Sequence, residues 1–116
     1  MRLLAKRGEQ ICENLSAGDS QKFTIHLIAT GSGFKWKITE SKIVQEGPIL
    51  KWKGIGKPFM FMLGDNNPEI REKLDKYLDN AGLSKEVKAL FNNKMENVRD
   101  EAIERWRIRY ISKERE

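Results

Sequence analysis

Glu40-Ser41-Lys42 sets a carboxylate and an ammonium two positions apart, a spacing that puts both on one face of a β-strand. With Asp19 upstream and Glu9 or Glu13 closer to the N-terminus, the chain holds the parts of one catalytic chemistry. Acids would hold magnesium and a lysine would stabilise charge at a reacting phosphate, as metal-dependent cleavage of a phosphodiester requires. Other reactive side chains lack partners. His26 has no serine, cysteine or second histidine beside it and reads as a half-exposed histidine on the polar side of a strand. Cys12 follows Ile11 in an apolar stripe and reads as a buried structural thiol. One cysteine and one histidine leave no internal disulfide and no Cys/His zinc set, and no cofactor is expected.

Two glycine- or acid-bearing stretches read as structure rather than chemistry. Lys53-Gly54-Ile55-Gly56-Lys57 lacks the GxxxxGK[ST] spacing of a phosphate loop and suits a hairpin turn between strands. Asp65-Asn66-Asn67 lacks the later glutamate of a calcium loop and suits the cap of a helix beginning at Pro68. Met60 and Met62 read as core filler. The order of an upstream acid and then Glu-x-Lys resembles that of restriction-endonuclease-like nucleases, which implies a metal-dependent nuclease with Glu40 and Lys42 at its centre. Here, however, Asp19 falls in a turn ahead of the first expected strand.

The other candidate constellation is cationic. Lys35-Trp36-Lys37 and Lys51-Trp52-Lys53 each set a tryptophan between two lysines. Residues 20–58 hold seven lysines against Glu40 and Glu46, whereas residues 59–116 hold twelve basic and twelve acidic side chains. The net charge of +5 is therefore concentrated in one block, which favours an acidic partner. On paired strands Lys35, Lys37, Lys51 and Lys53, with Lys42, are expected to share one sheet face. Such a face suits the phosphate backbone of DNA or RNA, or an acidic protein surface. Arg105, Arg107 and Arg109 form a second cluster that can extend the patch, although on a helix they diverge.

These side chains need a scaffold. Phe23, Ile25, Leu27 and Ala29 alternate with polar residues up to Thr30-Gly31-Ser32-Gly33, and Phe34, Trp36 and Ile38 alternate after it. A turn centred on Gly31-Ser32 pairs Ala29 with Phe34, Leu27 with Trp36 and Ile25 with Ile38. Leu50 and Trp52 suggest a third strand, and Phe59 to Leu63 a fourth, apolar on both faces and so the most covered. A turn at Gly54 to Lys57 would set Trp52 opposite Phe59, in the core, and a bulge is expected near Glu40 to Lys42. Leu4, Ile11, Cys12 and Leu15 predict a first helix over 2–16. Ile70, Leu74, Tyr77 and Leu78 predict another after Asn67-Pro68, and Ser84 starts a third that Asn92-Asn93 can break. Arg105 to Ile111 fits helix or strand.

The expected architecture is thus α+β: an N-terminal helix, a four-stranded antiparallel meander over about 21–63, and two or three C-terminal helices packed on one sheet face. At 116 residues it makes one domain, 1–116, able to bury roughly two thirds of its unfolded surface. The longest apolar run, Pro58 to Leu63, is far short of the roughly 20 residues of a membrane span, so neither anchor nor signal peptide is expected. A reducing cytoplasm fits the cysteine usage. RNA-recognition and single-strand-binding domains also combine lysines and aromatics, but display the aromatics on the open face to stack bases. The alternation here points Trp36 and Trp52 inward instead. The leading expectation is a small non-enzymatic nucleic-acid-binding protein that uses phosphate contacts. The alternative is an adaptor or inhibitor, of the phage or plasmid kind, that docks an acidic partner.

Overall fold

A computed structural model describes residues 5–31, 33–64 and 67–106. Strands β1 (Gln10–Ser16), β2 (Gln21–Ala29), β3 (Phe34–Glu46) and β4 (Ile49–Met62) form one antiparallel sheet in chain order. Helices α1 (Pro68–Asn80) and α2 (Lys85–Trp106) follow. The α+β plan with helices after the sheet holds, but the segment expected as an N-terminal helix is β1, and the described residues hold two helices, both C-terminal, where an N-terminal helix and two or three C-terminal ones were expected.

Ile11 and Leu15 explain the first error. A spacing of four returns a side chain to the same face in both a helix and a strand, and Glu13 lies where an apolar residue would have marked the strand. Backbone pairing with β2, from Gln10 opposite Ile28 to Ser16 opposite Lys22, decides the outcome. Cys12, expected to be buried, alternates away from Ile11 and is exposed.

The β2–β3 hairpin forms in the expected register, with Ala29 opposite Phe34, Leu27 opposite Trp36 and Ile25 opposite Ile38. Beyond it the meander departs from expectation. The segments expected as third and fourth strands are one continuous β4, which is an edge strand and not the most covered one. The turn ahead of it falls at Gly47-Pro48, flanked by the pair Glu46 and Ile49. Gly47 has φ 61 and Pro48 holds its own φ negative, the combination of a type II′ turn.

Gly54 to Lys57 makes no hairpin either. Ile38 pairs with Phe59 and Glu40 with Ile55, so Thr39 alone faces Gly56, Lys57 and Pro58. This bulge lies just before the stretch where an irregularity was expected, and the extra residues belong to β4. Gly56 takes φ 67, and Pro58 has no N–H to offer a ladder. The excess is two residues, so alternation survives it: Ile55, Phe59 and Phe61 share a face, whereas Trp52, at an even position, points to the other.

Both helices cover the face that carries Phe23, Ile25, Leu27, Trp36 and Ile38, all buried. The Asn67 side chain accepts from the Glu69 backbone N–H at 3.0 Å and Pro68 opens α1, as expected. α1 presents Leu74, Tyr77 and Leu78 to the sheet. α2 runs unbroken through Asn92-Asn93, because Phe91, Val98, Ala102 and Trp106 recur at helical spacing and are all buried. Phe23 meets both helices edge-on, Tyr77 at 6.2 Å and Phe91 at 6.0 Å, while Trp106 stacks on Phe34 at 5.3 Å.

Two stability predictions follow from this packing. Trp36 is 4% exposed and Trp52 41%, so Trp36→Ala is expected to cost about 3–5 kcal/mol in urea unfolding and Trp52→Ala less than about 1 kcal/mol. The Tyr77 hydroxyl is enclosed without a hydrogen-bond partner, and burial followed by the nearby Glu40 charge pushes its pKa up to about 12. Tyr77→Phe removes that unmatched group, and its unfolding midpoint should equal or exceed that of the parent, by up to about 1 kcal/mol.

Candidate functional site

With the helices on one side, the opposite face of the sheet is open among the described residues. Cross-strand pairing sorts its side chains into rows. The first row runs Gln10, Ile28, Lys35, Met62; the second Cys12, His26, Lys37, Met60; the third Asn14, Thr24, Thr39. The fourth runs Ser16, Lys22, Ser41, Gly54. Past the end of β2 only β3 and β4 continue, as a two-stranded arm, and add Ile43 with Trp52 and then Gln45 with Leu50. No carboxylate occurs in any of these rows.

The face is banded across its strands. Along β1 and its neighbour the contacts are neutral hydrogen bonds: Thr24 Oγ1 donates to Asn14 Oδ1 at 2.9 Å, and Gln10 Oε1 lies 2.8 Å from His26 Nδ1. An amide oxygen only accepts, so Nδ1 carries the proton of the neutral ring. β2 and β3 supply the cations Lys22, Lys35 and Lys37. β4 supplies apolar groups, with Trp52, Met60, Met62 and Leu50 all substantially exposed. Lys22 Nζ sits 4.7 Å from the centre of the Trp52 ring, a cation–π contact that joins the two bands.

The expected site residues divide between the two faces. Lys35 and Lys37 are on the open face as anticipated. Lys42, Lys51 and Lys53 are not with them: Lys42 pairs directly with Lys53 on the other side of the arm, and Lys51 is ion-paired with Glu46 at 2.9 Å there. Arg105 lies in the last turn of α2, on the helical layer, and bonds Glu101 at 2.6 Å. Arg107 and Arg109 lie outside the described residues. Lys22, Trp52, Met60 and Met62 are the members that sequence reasoning missed. Strand alternation alone could have found Lys22, since it shares the parity of Thr24 and His26. The other three depended on where β4 begins and ends.

No family model, curated protein or solved structure matches the chain. Its surfaces are then the only guide to what it binds.

The acids of the nuclease arrangement are not gathered. Glu40 faces the helices and accepts from Gln21 Nε2 at 2.5 Å, while Glu9 accepts from Trp106 Nε1 at 3.2 Å. Glu13 lies 4.0 Å from Lys94, and Asp19 is in the β1–β2 turn. Among the described residues no group of three or more His, Cys, Asp or Glu side chains could hold a metal ion. A cleft of about 650 Å³ opens between α1 and α2 over Trp36 and Phe61. Its rim mixes Arg71 and Arg99 with Asp75 and Glu96, and Lys88 is bound by Asp75 at 2.9 Å and Asp79 at 2.7 Å, so it presents no convergent charge. No helix among the described residues is long and apolar enough to cross a membrane.

His26 reports the field of the open face. Partial burial, and then the charge of Lys37 opposite it, lower its pKa below 6.5. In the unfolded chain His26 binds a proton more readily, so this residue stabilises the fold above pH 6.5, and that contribution is lost as pH falls from there through its folded pKa. NMR titration should place His26 below 6.5, and Lys37→Gln should raise it only part of the way, because burial is the larger cause. The loss of stability on acidification through this window should be smaller in His26→Asn than in the parent.

Proposed function

We propose that this chain is a non-enzymatic nucleic-acid-binding protein that contacts phosphates through Lys22, Lys35 and Lys37 on the open face of its sheet. The observation that carries this reading is the composition of that face: three lysines and a histidine across neighbouring rows with no carboxylate among them. Cations so placed repel one another in the free protein, and Lys37 already disfavours protonation of His26. A polyanion relieves that repulsion and gives up condensed counterions on binding, the main source of nucleic-acid affinity. The polar side chains fixed on this face, Asn14 with Thr24 and Gln10 with His26, are engaged with one another, so contacts from the lysines to the backbone are expected to dominate.

A specific observation favours a second reading, an adaptor or inhibitor that docks an acidic protein segment. β4 carries Lys53 and Lys57, with Lys51 held by Glu46 at 2.9 Å, beside the exposed Ile49 and Leu50. The first reading uses the open face of the sheet and the second uses β4, so the two separate by mutation.

For the first, log K should fall with log salt at a slope of about −2 to −3 for three phosphate contacts. Lys35→Glu/Lys37→Glu should weaken binding and flatten that slope by about 2, whereas Lys51→Glu/Lys53→Glu should change it much less. Binding that is absent near about 100 mM salt, or that depends on Lys51 and Lys53 instead, would overturn the open-face reading.

A further inference from the structure

The cationic band does not account for its neighbour. Lys35 is paired with Met62 and Lys37 with Met60, and beyond them Trp52 follows on the same face of β4. Met60 is 54% exposed, Met62 41% and Trp52 41%, so β4 presents an uncovered apolar strip parallel to the lysines. Phosphates gain nothing from such a strip. A ligand that fits both bands must be anionic along one edge and carry exposed flat apolar groups along the other.

We infer that the open face takes single-stranded nucleic acid, with its phosphates over Lys22, Lys35 and Lys37 and its bases over β4, one of them stacked on Trp52. This rests on the phosphate reading above and adds the strandedness of the ligand and the path it follows. Unpaired bases expose π-faces, and stacking on an aromatic ring is indifferent to which base is present. A duplex keeps its bases inside and would leave Trp52, Met60 and Met62 uncovered on a sheet face. The two-stranded arm is of a shape that major grooves admit, but insertion there leaves the exposed Met60 and Met62 bare. Lys22, already 4.7 Å from the Trp52 ring centre, places a cation where a stacked nucleotide needs one for its phosphate.

Trp52 provides its own probe. Trp36 and Trp106 are 4% and 3% exposed, so a change in tryptophan emission on binding an oligonucleotide reports Trp52. The experiment titrates the full chain with an oligothymidylate and with a duplex of equal length at one salt concentration, following both emission and anisotropy of labelled DNA. Oligothymidylate should bind more tightly than duplex and quench the emission. Trp52→Phe should lose the quenching and retain most of the affinity. Trp52→Ala should lose about 5- to 150-fold in affinity for oligothymidylate while affinity for duplex stays within about 2-fold. Equal binding of both forms, without quenching and unaffected by Trp52→Ala, overturns this inference and leaves the phosphate reading standing. Binding of neither form refutes both. An unfolding midpoint of Trp52→Ala close to the parent's confirms that the comparison concerns the surface and not the fold.

Discussion

Phe23 is fully enclosed, and its ring meets an aromatic edge from each helix, Tyr77 of α1 and Phe91 of α2. Edge-to-face contacts of this kind add roughly 0.5–1.5 kcal/mol each to the burial of the rings. Their larger effect is geometric. A single side chain of β2 requires both helices to lie on the same side of a four-stranded sheet, and the unbroken pairing of β2 with β3 extends that requirement to Trp36 and Ile38. The other side of the sheet is then left to whatever the alternate positions carry. On β2 and on the part of β3 paired with it these are Lys22, Thr24, His26, Ile28, Lys35, Lys37, Thr39 and Ser41.

β4 obeys the same rule through a less regular path. Three of its residues, Gly56 to Pro58, stand against Thr39 alone, and because the excess is even, Phe59 and Ile55 stay on the helical side together. An excess of one would have reversed every residue from Ile55 back to Ile49. The two Lys-Trp-Lys triplets therefore present themselves in opposite senses. In the first, the lysines are on the open face and Trp36 is in the core. In the second, Trp52 is on the open face and Lys51 and Lys53 point the other way.

That contrast separates what the amino-acid sequence makes legible from what it does not. The parity of the β2–β3 hairpin was readable because alternation ran on both sides of a glycine-rich turn, while a turn centre at Gly31-Ser32 or at Ser32-Gly33 fits that parity equally and only the first gives the observed partners. α1 was readable because Asn67-Pro68 is a cap with a physical reason, whereas α2 remained divisible at Asn92-Asn93, whose composition suits a break although the apolar stripe runs on through them. β1 was misread since Ile11 and Leu15 satisfy both periods. The far half of the meander was misread since Gly54-Ile55-Gly56-Lys57-Pro58 has the composition of a tight turn and of a bulge alike. Three of the five lysines expected on one face went with that choice: Lys35 and Lys37 held their place, whereas Lys42, Lys51 and Lys53 lie on the opposite face and Trp52 takes the open one. Local composition cannot choose between a strand that turns back and one that goes on. The choice is made by the long partner, since β3 offers backbone groups from Glu40 to Glu46 that only a continuous β4 can pair.

The outer border of β4 is the place where a sheet of this order would be vulnerable to its own kind. It is fourteen residues long, has no strand beyond it among the described residues and carries Ile49, Leu50 and Trp52 in the open. Unprotected borders of that length template the addition of further chains. Here Lys51, Lys53 and Lys57 would be brought against their own copies, Pro58 interrupts the row of donors, and the bulge bends the strand away from flatness. The charges that disfavour a second copy of this chain at that border would attract a strand bearing acids.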